Sequence, residues 1–231
     1  MKTSWILRPI TLLWVGVAGL IGTLLIEVQS SIDMRLQDCF YNFSSHHWIV
    51  DANAPVPRFI FYTLPKLALF VFGALLLLRL CNLKWITRLI PWTWKETCYL
   101  AVCMAGIPLL VGLGKNVTRV HCPSELVRYG GTEEYHRIIS SDKSYNKVPP
   151  HCFPAGHASG GFALLALYFL RLNRKMLIPG MIYGWTMGLY QMFKGAHFLS
   201  HTLFTMFLAI SLCAIISLVF FRDRTRNTTE R

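Results

Sequence analysis

Charged side chains are scarce in this sequence. They make up 15% of its 231 residues, where a soluble domain carries roughly 25%. That shortage argues against a soluble domain of any size. Acidic residues are the scarcer kind, 11 Asp and Glu against 23 Lys and Arg, for a formal net charge of +12. Such an excess raises nucleic acid as a partner. The basic residues lie in short stretches between apolar segments, where membrane orientation signals lie, so no nucleic-acid role is expected. Internal repeats, low-complexity segments and CxxC pairs are all missing. A cleavable leader is not expected either. The apolar run after Lys2 and Arg8 is too long for a signal h-region, and no small-x-small site follows it before Glu27. It is expected to be an uncleaved first span.

Hydrophobic residues are abundant, 54% of the chain. Apolar runs near the length of about 20 residues that crosses a bilayer as a helix recur along it. Six spans are expected, at 10–26, 59–78, 97–113, 160–170, 177–193 and 202–221. The fourth reaches full length only if its helix starts near Ala155 and takes in His-Ala-Ser-Gly-Gly, for a span of about 156–170; the small residues there suit close helix contacts. The fold class is therefore all-α, a single polytopic bundle of six transmembrane helices with a long loop on one face.

Lys and Arg are concentrated at the N-terminus, in the second and fourth connections, and in the tail (Arg222, Arg224, Arg226, Arg231). Positive-inside logic puts both termini in the cytoplasm and the loops 27–58, 114–159 and 194–201 outside. His157, His197, His201, Lys115 and Arg119 then share the outer face, although they come from three separate segments.

Pro154-Ala155-Gly156-His157 reads as a helix start, with Pro154 in the first turn. Free N–H groups there favour an anion, and Gly156 lets it approach the backbone. Lys115, Arg119 and Lys194 are the cations expected to close around a phosphate. Two imidazoles then supply a nucleophile and an acid–base group.

These segments resemble the type 2 phosphatidic acid phosphatase family, the PAP2/haloperoxidase superfamily. The family's first motif is Lys, six residues, Arg-Pro; here Lys115 is followed by six residues and Cys122-Pro123. The second is Pro-Ser-Gly-His, matched by residues 154–157 with Ala155 for Ser. The third is Ser-Arg, five residues, His, three residues, Asp; here it is Tyr190-Gln191, five residues, His197, three residues, His201. Spacing and order are kept, and the runs around 121–131, 151–162 and 195–204 resemble a distinct branch that shares the His-for-Asp change.

The resemblance implies a six-helix bundle with an extracytoplasmic site and no cofactor or metal. It implies His197 as nucleophile and His157 as general acid, with His201 in the place of the orienting Asp. Arg119 and Lys194 are expected to take over from the absent motif arginines. Glu125 or Asp142 in the long loop is a candidate carboxylate for orienting His197.

The implied function is a phosphatase for a lipid-linked phosphate or pyrophosphate, of lipid A, undecaprenyl pyrophosphate, phosphatidylglycerophosphate or phosphatidic acid type. It would work through a phosphohistidine at the periplasmic face of a bacterial inner membrane. The alternatives are a lipid phosphotransferase using the same site and a non-catalytic lipid-phosphate binder.

Four smaller expectations accompany this reading. His197 and His201, at i and i+4, have the spacing of zinc ligands, with His121, Cys122 or Cys152 to complete a set. Cys122 and Cys152 both lie outside, where oxidation favours a disulfide, and Cys39 is a competitor. Lys66, inside the second span, either snorkels or adds charge to the phosphate site. The segment around Asp33–Trp48 is expected to lie over the site's mouth.

Overall fold

The structure, a computed structural model, describes residues 8–138 and 150–222. Asp142 therefore lies outside the described residues. Helix dominates, with one hairpin of two-residue strands. Among the described residues, four helical stretches are long and apolar enough to cross a membrane: Pro9–Gln29, Pro55–Leu80, Trp94–Glu125 and Leu199–Phe220.

The first stretch is α1 (Pro9–Gln29), which lies along the last, α10 (Leu199–Phe220). The second joins α3 (Pro55–Arg58) to α4 (Leu64–Leu80) through a π-helical turn, Phe59–Thr63. Pro65 explains that turn. It has no N–H for the regular i→i−4 bond, and the Leu64 N–H reaches Phe59 instead. The short α5 (Lys84–Leu89) leads to α6 (Trp94–Thr118).

Helix α6 begins with a capping box. Thr93 Oγ1 accepts the Glu96 N–H at 3.2 Å, and Glu96 accepts the Thr93 N–H at 2.9 Å. Arg171 also pairs with Glu96, which ties the end of α8 (Ala166–Arg171) to the start of α6.

The expected fourth span, 156–170, is broken. It forms α7 (Gly156–Ala163) and α8, separated at Leu164 and Leu165. Tight bonds make the break: the Leu164 N–H donates to Gly161 O at 3.1 Å and the Leu165 N–H to Phe162 O at 3.0 Å. The break rests on Gly180 of α9 (Leu177–Phe193), where a Cβ would lie 2.6 Å from the Leu165 nitrogen. One turn on, Gly161 meets Gly184 so closely that a Cβ on Gly161 would fall 2.6 Å from the Gly184 nitrogen. The small residues thus bring α7 and α9 into backbone contact, as expected of them. Helix α9 has 17 residues. The fourth and fifth expected spans are therefore helical but shorter than the other four.

Helix α7 is the centre of the bundle, packed by α6, α9 and α10. Ala158, Phe162, Leu165 and Tyr168 are buried there with Tyr99, Ile107 and Ala209.

The segment 30–50 forms a cap at the end of the bundle that carries the histidines. Helix α2 (Ile32–Asp38) is followed by β1 (Tyr41–Asn42) and β2 (His47–Trp48), paired antiparallel. Tyr41, Trp48 and Tyr129 make a cluster of edge-to-face and tilted rings. Arg128 grips Asp38 with two bonds of 2.8 and 2.7 Å, and the Tyr129 hydroxyl donates to the same carboxylate at 2.9 Å. Arg128 chiefly, with Tyr129, holds Asp38 below its ordinary value against a smaller cost of burial. His46 and His47 are exposed on the hairpin and take no part in the site.

Candidate active site

His157 is the second residue of α7, half-buried at the mouth of the bundle. His197 lies in the connection between α9 and α10, and His201 in the first turn of α10; both are buried. The His157 and His197 rings are 5.7 Å apart, centroid to centroid, and His197 lies 5.8 Å from His201. Residues forty positions apart in the chain thus form one group of three imidazoles.

The connection that carries His197 is fixed from several directions. Gly195 takes a left-handed turn, φ +76°, and its missing Cβ is where the Trp48 indole sits. Gly195 O accepts the Ser124 N–H at 2.8 Å, and the Ala196 N–H donates to Gln191 O at 2.8 Å. Gln37 of α2 donates to Met192 O at 2.8 Å. Asp33, also on α2 and buried, accepts the Ser200 N–H at 2.9 Å and so caps α10 just before His201. Burial raises its pKa, and the bonds from Ser200 and Leu199 offset part of that. The segment 30–50 therefore does more than cover the site: it braces the turn that presents His197.

The start of α7 differs from expectation. Pro154 lies before the helix rather than in its first turn; Ala155 is the N-cap, and its N–H is taken up by α10, donating to His201 O at 3.3 Å and Thr205 Oγ1 at 3.0 Å. It is therefore not free for an anion. Its role is to lock the His157 helix to the His201 helix. Gly156 also acts differently. A Cβ there would lie 3.1 Å from Lys115 Cε and 3.4 Å from Nζ, so the absent side chain makes room for the lysine.

Lys115 and Lys194 both come close to the imidazoles. Burial first, then His201, Lys115, His157 and Lys194 in that order, hold the His197 pKa well below 6.5. Its ring is a neutral base at pH 7. Lys194 is itself lowered by burial and by Arg58, and its Nζ stands 5.2 Å over the Tyr190 ring. Arg119 is placed differently along α6. It is exposed at the left-handed C-cap of α6, φ 49°, and its Nε donates back to Asn116 O at 3.3 Å.

Glu125 does not orient His197. It accepts from the Cys122 N–H at 2.9 Å and meets His121 Nδ1 at 3.1 Å. The group facing His197 Nδ1 is Cys152 Sγ, at 3.4 Å. Cys152 is joined to Cys122, with a Cα–Cα distance of 5.2 Å, while Cys39 is free and exposed. A disulfide sulfur has no hydrogen and accepts weakly, so Nδ1 carries the proton toward it and Nε2 keeps its lone pair. The same bond occupies the thiol that a zinc site would need. Cys152, His197 and His201 have ligand atoms within 4.8 Å of one another, but the sulfur is committed to Cys122.

A cavity of about 670 Å³ runs from His157 along α4, α6 and α7. Lys66, Tyr62, Gly156 and His157 form its polar end; Leu69, Phe70, Gly73, Leu77, Met104 and Pro108 line the rest. The Tyr62 ring lies 5.2 Å from His157, and Lys66 Nζ stands 5.5 Å over Tyr62. Lys66 thus faces the cavity that His157 lines. No motif or spacing marks Tyr62, Asp33 as a cap or Cys152 against the His197 ring. Gly195 was visible as a glycine in a very short connection, a common mark of a left-handed turn.

Suppression of the His197 pKa has a measurable consequence. The ring is expected to titrate with a midpoint below pH 6.5. A pH titration of the imidazole resonances, with the His197 signal assigned from a variant lacking it, measures that midpoint. A value at or above 6.5 would contradict the buried, neutral ring.

A family model described as the PAP2 superfamily matches residues 96–225. Neither the comparison with curated proteins nor that with solved structures returned a match. The matched stretch begins in the first turn of α6 and runs past the end of α10, so it contains Lys115, His157, His197 and His201. By that match over more than half of its length, the chain belongs to the PAP2 superfamily.

Proposed function

We propose that the protein is a membrane phosphatase that removes phosphate from a lipid-linked phosphate or pyrophosphate through a phosphohistidine. The observation that carries this reading is the pair of rings, His157 and His197, 5.7 Å apart, with His157 lining the polar end of a largely apolar cavity. In this reading His197 Nε2 attacks phosphorus, and His157 protonates the leaving oxygen and then activates water. Lys115 and Lys194 hold the phosphoryl oxygens with Lys66 at the cavity end, and Arg119 is left out of that shell. The bundle crosses the bilayer six times, α7 with α8 and α9 supplying the two shorter crossings. Both termini face the cytoplasm and the site faces the periplasm of a bacterial inner membrane. The substrate's chain lies in the α4–α6 cavity while its headgroup meets the imidazoles.

A lipid substrate and a soluble phosphate ester make opposite demands on that cavity. A Cβ on Gly73 meets nothing within 4 Å, so a large side chain there projects into free space rather than into the core. Gly73→Trp is expected to raise KM for a long-chain lipid phosphate at least about tenfold, the size of a few lost methylene contacts. Turnover of a short soluble phosphate ester should stay within about twofold, since the site itself is untouched. Phosphate release in detergent measures both. Equal losses on the two substrates would remove the cavity from the mechanism. Phosphate appearing on an acceptor lipid instead of in solution would turn the reading to a phosphotransferase. Tight lipid-phosphate binding without turnover would leave a binder.

A further inference from the structure

Cys152 has a second relationship, beyond its bond to Cys122, that the phosphatase reading does not use. Its sulfur is 3.4 Å from His197 Nδ1. Two ligands of a tetrahedral zinc ion, a sulfur at about 2.3 Å and a nitrogen at about 2.0–2.1 Å, lie roughly 3.5 Å apart. His201 completes a set whose ligand atoms all fall within 4.8 Å, with all three residues buried. His201 Nδ1 has no hydrogen-bond partner among the described residues. We propose that Cys152, His197 and His201 form a latent site for a thiophilic divalent cation of the Zn²⁺ class, opened when the Cys122–Cys152 bond is reduced.

Noncovalent contacts keep the sulfur in place once that bond opens. The Cys152 N–H donates to Val120 O at 3.0 Å, and Thr118 Oγ1 donates to Phe153 O at 2.5 Å. Phe153 packs edge-on against His201, with centroids 5.0 Å apart. The redox step balances with a tertiary phosphine as reductant. Two electrons from phosphorus break the S–S bond, water supplies the oxygen of the phosphine oxide and the two protons, and two thiols result. Cys152 then loses its thiol proton to solvent as sulfur binds the metal.

Occupancy blocks the chemistry, a consequence that rests on the proposed function. A neutral imidazole has one nitrogen lone pair. If Nδ1 of His197 gives its lone pair to zinc, Nε2 carries the proton and cannot attack phosphorus.

The test uses the full chain in detergent, desalted after exposure to Zn²⁺ or Co²⁺. Phosphine-reduced protein is expected to keep one equivalent of metal beyond the oxidised protein, with a thiolate-to-cobalt charge-transfer band. Cys122→Ser, which leaves Cys152 as a free thiol, is expected to keep the same equivalent with no reductant. Reduced Cys152→Ser is expected to lose both metal and band. Phosphate release by the reduced protein should fall in proportion to zinc occupancy and return on chelation. Equal uptake by oxidised and reduced protein overturns the proposal, because the other cysteines are free in both. Full uptake by reduced Cys152→Ser also overturns it, as does loss of helical signal on reduction, since the site requires the noncovalent contacts to hold. Metal is counted without turnover, so an inactive protein that binds zinc sinks the phosphatase reading and leaves the metal site.

Discussion

Replacing His197 by alanine is expected to lower phosphate release by roughly 10⁴-fold or more, a loss of about 5 kcal/mol in transition-state stabilisation. The size follows from what the ring does in the proposed mechanism. It forms the bond to phosphorus, so no step bypasses it. Its neighbours prepare it for that role: burial and the surrounding cations keep it neutral, and the disulfide sulfur leaves the reactive lone pair on Nε2. The loss should be the same for every substrate, whatever its leaving group. His197→Asn is the structural control, since its amide fills much of the same space. Comparable helical content and elution as a single species would show that the turn at Gly195 survives. A variant that kept more than about a hundredth of the parent rate would place the nucleophile elsewhere.

His157→Ala is expected to cost about 10²–10⁴-fold on an alkyl or lipid phosphate, the usual contribution of a positioned acid–base group. Here the leaving group decides the size. A lipid alkoxide leaves only with a proton, whereas a nitrophenolate leaves without one. On a nitrophenyl phosphate the first step of the variant should therefore slow by less than about tenfold. Its second step should still be slow, because no group activates the water that attacks the phosphohistidine. The expected trace is a burst of nitrophenolate of one equivalent, then slow turnover, in single-mixing kinetics. Equal slowing on both leaving groups, with no burst, would make His157 a binding group rather than an acid.

Four of the six expected spans and the spacing of the third-motif histidines were legible because each depends on local pattern. A run of apolar residues makes a helix whatever lies beside it, and His197 and His201 are four positions apart on the same strip of chain. The disulfide was legible for a similar reason: two cysteines on one face left few other pairings. What was not legible depends on geometry between distant segments. The break at Leu164 comes from Gly180 pressing on the chain, and nothing at residue 164 announces it. Pro154 has the residue type of a first-turn position, but Ala155 is drawn into contact with α10, and the helix starts at Gly156, two residues after the proline. Arg119 has the right residue type at the right place in sequence. A left-handed C-cap turns it back onto its own helix. Asp33 lies more than 160 positions before the helix it caps, a separation no motif spans.

Trapping the covalent intermediate tests the phosphohistidine relay itself. Full-length protein in detergent is mixed with a substrate labelled at the transferable phosphate, quenched in alkali, digested and mapped. Phosphohistidine survives alkali and is lost in acid, which separates it from a phosphate ester. Alkali-stable label is expected on the peptide that contains His197, and none in His197→Ala; with a labelled nitrophenyl phosphate as substrate, more of it is expected in His157→Ala. Label on His157, or steady turnover by the parent with no labelled histidine at any time after mixing, would contradict that relay.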